Sequence, residues 1–386
     1  MTLKLDEKEF KQTNRLSPIL KWAGGKEKEL KYILPLIPQN INRYFEPFVG
    51  GGAVYLSIKA KEYYINDKSD ELIDLYISIQ KKEKEFFYYL KEINHNWKLI
   101  SKIVENNREM FIEIYKLFRN NQINLDEVEN KISSFILKQS HLFNGMFDCL
   151  FNKDTKHFFN EINKSLIAKI KRMKKIESEK GIMPDEDILD NIESALKSAF
   201  YTHFRYLYNN IKKYNINKNF VTAIFFFIRN YAYSGMFRYN SKGEFNVPYG
   251  GIGYNKKNLD KKIEYFQNPL LISKLQQTII ENLDFEIFLK KYNPTENDFI
   301  FLDPPYDTEF STYALNEFSR EDQKRLANYL INECNAKWLM IIKYTDFIYE
   351  LYNKKNISIT SFDKKYLVSF KNRNNKNAIH LIIKNY

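Results

Sequence analysis

The middle of the chain constrains its fold more than either end does. From residue 81 to about residue 218 there are few glycines or prolines, and apolar residues recur at helical spacing. The one clear break is at residues 180–184, where Gly181 and Pro184 interrupt the pattern. Such a stretch predicts an all-α block, and the flanks read differently. Residues 43–49 are a short apolar run ending in Gly50, Gly51 and Gly52, and residues 53–61 have helical composition. Residues 63–65 look like a second strand, closing on Asn66 and Asp67. Residues 69–80 are helical again, with Leu72, Ile73, Leu75, Tyr76 and Ile79 on one stripe. A βαβα order of this kind implies parallel strands with right-handed crossovers. Near residue 276 it resumes, with strands expected at 278–282, 298–302, 337–342, 357–361 and 378–383. A helix is expected at 319–334, with Ser319 as its N-cap. The last strand can pair antiparallel with its neighbour. The reading is therefore an α/β domain made of residues 15–80 and 276–386, split by a mostly helical domain at 81–275. Within the latter, residues 220–231 read as an apolar helix and residues 233–254 as an exposed hairpin or loop.

Composition narrows the functional classes. Sixty Lys and Arg against 48 Asp and Glu give a formal charge of +12, which makes an acidic partner a live possibility. The aromatic content of 16% argues against disorder. The longest apolar run, residues 220–228, is far too short to span a bilayer. The charged start, whose first 16 residues read as frayed, lacks the apolar stretch of a signal peptide. With only Cys149 and Cys334, neither a disulfide framework nor a cysteine-rich zinc site is available. The five histidines are scattered without paired ligand spacing. The expectation is a soluble, cytoplasmic protein without a metal.

Two glycine turns stand out. The first, residues 45–56, follows a strand and precedes a helical segment, the place where a nucleotide-like ligand sits in an open α/β sheet. It is not the dinucleotide fingerprint, since Tyr55 stands where the third glycine would be. Glu46 puts an acid at the strand end, which suits a cationic ligand better than a pyrophosphate. Asp67 closes the next strand and has the position of an acid that accepts from ribose hydroxyls. The plain alternative is a βα turn with a helix-capping Asp, and the turn taken alone leans toward it. The second turn, Trp22 to Lys26, is not a phosphate loop, because Glu27 follows Lys26 where a Ser or Thr would bind magnesium.

The sharpest signal is Asp303-Pro304-Pro305-Tyr306, directly after a predicted strand. The prolines stiffen the backbone, so the Pro304 carbonyl has a set direction. Asp303 supplies a carboxylate beside it and Tyr306 a flat ring. Two acceptors and a ring grip a planar amino group, such as that of adenine. Hydrogen bonding of both its protons localises the nitrogen lone pair toward an incoming electrophile. The alternative is a simple X-Pro-Pro turn, and the two glycine turns weigh against it.

At this point the sequence resembles a DNA adenine-N6 methyltransferase of the Dam type (D12 class). The matching pieces are LKWAGGK (20–26), FEPFVGGGAVYL (45–56), IND with LIDLY (65–67, 72–76), RNYAYSGMFRYNSKGEFNVPYG (229–250) and DPPY (303–306), in the family's order. DPPY alone is shared with other amino-methylating enzymes, and residues 229–250 are the more specific piece. The resemblance implies a Rossmann-like methyltransferase sheet, mostly parallel with an antiparallel C-terminal hairpin, interrupted by a mostly α-helical target-recognition insertion. It implies S-adenosylmethionine as methyl donor, no metal, and in-line transfer to adenine N6. Asp303, Pro304, Pro305 and Tyr306 are then the catalytic group. Trp22, Lys26, Glu46, Gly50, Gly52, Asp67 and Asp303 form the cofactor set.

A target adenine inside a duplex must be flipped out to be reached. The family's DNA contacts fall on Lys21 and on Tyr233, Ser234, Met236 and Arg238, with GATC as the expected site. Ser234 stands where the family pattern has Asn, which puts one contact in doubt. Tyr233 and Met236 either wedge into the base stack or pack under the loop. Compact family members lack roughly a hundred residues found here, at about 100–200. Within them a Lys-rich run at 169–175 is either a phosphate contact or a solvated face. Expected partners are double-stranded DNA, met as a monomer, and a cognate restriction endonuclease of the same site. Two other readings stand beside this one. The amino group methylated belongs to RNA or to a protein glutamine, or the chain is an inactive DNA-binding relative.

Overall fold

The computed structural model of the chain describes residues 16–138, 153–306, 318–365 and 377–386. Cys149 and the polar start before residue 16 lie outside them. The chain divides into two compact units, Met1–Gln80 with Asn268–Tyr386, and Lys81–Gln267.

The first unit is built on a seven-stranded sheet: β1 (Arg43–Glu46), β2 (Glu62–Asn66), β3 (Thr278–Glu281), β4 (Phe299–Leu302), β5 (Lys337–Lys343), β6 (Ser358–Lys365) and β7 (Asn377–Lys384). Their order is β3-β2-β1-β4-β5-β7-β6. The first five are parallel, and β7 runs antiparallel to both β5 and β6. The central strands are apolar on both faces, as parallel strands covered by helices must be: all four residues of β4 are buried, as are Trp338 to Ile342 of β5. One face packs Phe45, Ile300, Leu302, Trp338, Met340 and Ile342 against Phe288, Leu326, Ile348 and Tyr352 from the helices Phe285–Tyr292, Arg320–Asn328 and Asp346–Tyr352. The second of these starts in a capping box, with Ser319 and Asp322 each accepting the other's backbone N–H.

Two features of this unit differ from the sequence reading. Residues 53–61 make only a single 3-10 turn, Tyr55–Ser57. Val54, Tyr55 and Leu56 are all buried, so no polar face is left for a surface helix, and Ser57 Oγ donates back to the Ala53 carbonyl at 2.7 Å. The unit also resumes at Asn268 instead of near 276, because the helix Pro269–Gln276 belongs to it. Gln80, the last residue of the helix Asp70–Gln80, clasps this return: its Nε2 donates to the Leu275 and Thr278 carbonyls at 2.7 and 2.9 Å.

The second unit, among its described residues, consists of helices and turns, with two isolated antiparallel bridges, Ala232 to Tyr249 and Tyr239 to Phe245. The long helices Lys84–Asn106 and Asp185–Asn209 pack against Lys218–Tyr231, in which Phe225, Phe226 and Phe227 are all fully buried, and Thr155–Lys180 packs on Asp185–Asn209. A helix apolar all round is a central one. Asn217 caps its start by accepting from Phe220 N–H. Trp97 packs against Phe200, Phe227, Tyr231 and Tyr249. In the Lys-rich run, Lys174 is spent internally on the Phe118 carbonyl and Asn121, while Lys171, Arg172 and Lys175 are exposed. No helix of the described residues is long and apolar enough to cross a membrane.

An ion pair closes the amino end of the sheet. Arg43 donates to Asp298 Oδ2 through Nη2 at 2.6 Å and Nε at 3.1 Å, and its backbone N–H donates to Oδ1 at 3.0 Å. Burial works to raise the Asp298 carboxyl, but Arg43 and Thr295 outweigh it and hold the group below its ordinary value. Asp298→Ala removes the carboxylate from the guanidinium at the start of β1 and leaves it the Tyr292 and Asn293 carbonyls. It is expected to lower the unfolding free energy by about 3 kcal/mol in urea titrations; a change within error of zero would show that the pair is dispensable.

Candidate active site and recognition loop

The carboxyl ends of β1 and β4 lie side by side, since Tyr44 pairs with Phe299 and Phe45 with Ile300. Each strand releases a loop there. From β1 comes the turn at Gly50, Gly51 and Gly52; from β4 comes Asp303 to Tyr306.

The glycine turn is drawn tight by its own protein. Gly50 N–H donates to Asp67 Oδ2 at 3.0 Å, and Tyr76 OH donates to the Gly50 carbonyl at 3.0 Å. Gly50 and Gly52 have positive φ, +49° and +78°. A Cβ at Gly50 would lie 2.9 Å from Trp22 Cδ1, and one at Gly51 would lie 2.2 Å from the Leu20 carbonyl oxygen. The glycines thus admit the segment carrying Leu20 and Trp22 right against the turn. The Asp67 carboxylate also accepts Ser69 N–H at 3.0 Å and so braces the turn, while the helix Asp70–Gln80 is capped by Ser69, whose Oγ accepts Leu72 N–H at 3.4 Å. Desolvation pushes the Asp67 carboxyl up to about 6, against its hydrogen bonds.

Lys26, on the second glycine turn, is buried and reaches across to the β4 loop. Its ammonium donates to the Gly24 carbonyl at 2.7 Å, to Asp303 Oδ2 at 2.5 Å and to Tyr306 OH at 3.0 Å. Three N–H bonds are made and three are satisfied. Burial, then the Asp303 charge, holds the Tyr306 phenol well above its ordinary value. The Tyr306 ring meets the fully buried His380 ring edge-on, with centroids 5.4 Å apart.

Glu46 ends β1 beneath these groups. It is buried and accepts from Tyr44 OH at 2.6 Å. Burial pushes it up to about 8; the Tyr44 bond works the other way, and the neighbouring Asp303 charge adds to the rise. Lys274 stands on the far side, pushed down to about 8 by burial, with its ammonium 4.2 Å from the Tyr63 ring centroid. Sequence reasoning missed Tyr44, Lys274 and His380, because none lies in a motif and each reaches the site only through the sheet; Tyr76 lies in the LIDLY piece, but the bond of its hydroxyl to the Gly50 carbonyl is not legible there.

In the helical unit, Tyr233 is 47% exposed, so it does not pack beneath its loop; Ser234 and Arg238 are also exposed, and Met236 is half-buried. Ser234 has φ +53° and precedes Gly235 at +63°. Asn tolerates that region better than Ser does, which gives a physical sense to the Asn expected at this position. The loop is anchored by Phe237, Phe245, Val247 and Tyr249, all buried. The Arg229 guanidinium lies 3.7 Å from the Phe237 ring centroid. A polar stripe at four-residue spacing on Asp185–Asn209 sutures the returning arm: Tyr201 and Arg205 donate to the Val247 carbonyl, and Asn209 pairs with both the N–H and carbonyl of Phe245. That i, i+4 stripe is the sequence signal that marks these residues. Lys21, the remaining DNA-contact candidate, is exposed on the segment before Trp22.

The Glu46 shift makes a stability prediction. A carboxyl raised from 4.5 to about 8 holds a proton in the folded state that the unfolded chain has released. Its contribution is complete below the unfolded value and lost as pH rises through about 8, at about 1.4 kcal/mol per pH unit. Glu46→Gln cannot titrate, so its unfolding free energy should fall less between acid and alkaline pH than that of the natural protein. Parallel curves for the two proteins would refute the buried neutral acid.

A single family model, that of the D12 class N6 adenine-specific DNA methyltransferases, matches residues 22–183 and 150–367. Similar proteins extend over nearly the full chain. The type II methyltransferase M.CviBI of Paramecium bursaria Chlorella virus NC1A is 26% identical over 96% of this chain and 100% of its own. The type II methyltransferase M.MjaIII of Methanocaldococcus jannaschii is 28% identical over 96% and 99%. A DNA adenine methylase of Haemophilus influenzae is 24% identical over 87% and 82%. With the model matched over most of its length, the chain belongs to the D12 class of N6 adenine-specific DNA methyltransferases.

Proposed function

We propose that the protein transfers a methyl group from S-adenosylmethionine to adenine N6 in duplex DNA, at GATC, after flipping the base out of the helix. The observation that carries the reading is the placement of the two loops. The order β2-β1-β4-β5 means that β1 leads away to one side and β4 to the other. Ligands of open α/β sheets bind outside the carboxyl ends at such a switch point.

The donor set fits a cationic nucleoside. Glu46, Asp67 and Asp303 are acids, and Trp22 offers a flat indole. The three donors of Lys26, the basic group at this point, are taken, which disfavours a polyphosphate. Trp22, Gly50, Gly52 and Asp67 would hold the nucleoside end, and Glu46 with Asp303 would face the positive end. Bound there, S-adenosylmethionine supplies a methyl group on a positively charged sulfur. The chain's own part is positioning and charge placement. Asp303 and the Pro304 carbonyl accept the two adenine amino protons, and the Tyr306 ring lies against the base. Tyr233 and Met236 fill the stack as the base leaves it. Lys21 and Arg238 read guanine edges. The type II names of two relatives support pairing with an endonuclease of the same site.

Two experiments test this. Asp303→Ala should lower transfer of tritiated methyl groups to DNA by about a thousandfold or more while DNA binding persists; a substantial retained rate would mean the tetrapeptide has another role. Incubation with S-adenosylmethionine should protect GATC-containing DNA from a methyl-sensitive nuclease. Full cleavage alongside methyl incorporation elsewhere would reject GATC and keep the chemistry.

A further inference from the structure

The tetrapeptide Asp303 to Tyr306 is nearly rigid by its own covalent structure. The two pyrrolidine rings fix φ at Pro304 and Pro305. A following proline confines ψ of the residue before it, which restricts Asp303 and Pro304. The soft torsion left before Tyr306 is ψ of Pro305, and it sets where the Tyr306 backbone, and so its ring, is aimed. That torsion is also the one that turns the Pro305 carbonyl. Gln323 Nε2 donates to this carbonyl at 2.8 Å.

Gln323 is well suited to hold it. Its side chain is fully buried on the helix Arg320–Asn328, whose start is pinned by the Ser319–Asp322 capping box. Phe318, just ahead of the cap, packs against Phe48 and Phe285. The other atom of the same amide, Oε1, is buried with no hydrogen-bond partner among the described residues. A buried amide with one atom unsatisfied is a poor choice for stability alone, since an unbranched apolar side chain would fill the space without that cost. Its one side-chain hydrogen bond among the described residues is directed at the loop.

We propose that Gln323 is a positioning residue that fixes ψ of Pro305 and thereby aims the Tyr306 ring at the substrate amino group. The proposal rests on the methyl-transfer reading above and adds a residue outside every motif of the sequence.

Two variants test it in the full chain. Gln323→Met keeps the length and removes the donor. It should melt at or above the wild-type temperature, bind S-adenosylmethionine within about twofold by calorimetry, and lose about tenfold or more in single-turnover methyl transfer. Gln323→Glu can donate to the Pro305 carbonyl only when protonated. Its rate relative to wild type should be near one at about pH 6 and fall toward about pH 9. The titration of Glu46 is common to both proteins and cancels in the ratio, and Asp322 and Arg325 on the same helix keep their charges across this range. A Met variant with the wild-type rate overturns the proposal alone. So does a Glu variant whose ratio does not move with pH, and so does a rate loss that tracks a loss of melting temperature. If the Met variant does not fold, the Glu ratio decides. A wild-type protein that transfers no methyl to DNA overturns the enzymatic reading and this proposal with it.

Discussion

Everything at the candidate site depends on one parallel pairing, that of β1 with β4. The two strands come from opposite ends of the chain, and each is only four residues long. Their register puts a glycine turn and a proline-stiffened turn next to each other. The Arg43–Asp298 pair fastens the opposite end of the same strand pair, so the register is held at both ends. A slip of one residue would turn every side chain of β4 to the other face and carry Asp303 away from Lys26.

With the register fixed, the electrostatics follow. Glu46 and Asp67, whose charge burial penalises, gather with Asp303, and the nearest ammonium is committed to Asp303. Phenols supply what the ammonium cannot: Tyr44 donates to Glu46 and Tyr76 to the Gly50 carbonyl. An acid-rich pocket with neutral donors around it favours a ligand that brings its own positive charge. It also explains why the phosphate-loop reading of Trp22 to Lys26 fails on more than sequence grounds.

Local pattern made much of the fold legible. Strand–turn signals marked β1, β2 and β4, and the stripe at Leu72, Ile73, Leu75, Tyr76 and Ile79 marked its helix. Where the signal was local but tertiary burial overrode it, the reading failed: residues 53–61 have helical composition and form one 3-10 turn. The helix Phe285–Tyr292 went unnamed, although Asp284 caps it and Asn293 ends it in the left-handed region. Motifs at the site were readable as motifs. What was not readable is which residues stand behind them, because the Lys26–Asp303 contact spans 277 positions and Gln323 lies beyond the tetrapeptide on a separate helix. Contacts of that range are set by the sheet order, and no local pattern carries it.

The clasp of Gln80 on the Leu275 and Thr278 carbonyls bears on how the protein is made. A ribosome that has released residue 80 has delivered β1 and β2, but neither has its outer neighbour. β3 and β4 emerge only after the whole helical unit has been translated. Closing so long a loop from a disordered intervening chain is entropically costly and slow. A helical unit that folds as it emerges shortens the effective loop, and the apolar edges of the waiting hairpin-less pair are then exposed for less time. The order of synthesis thus lets the helical unit fold before the sheet, of which only the first two strands precede it in the sequence.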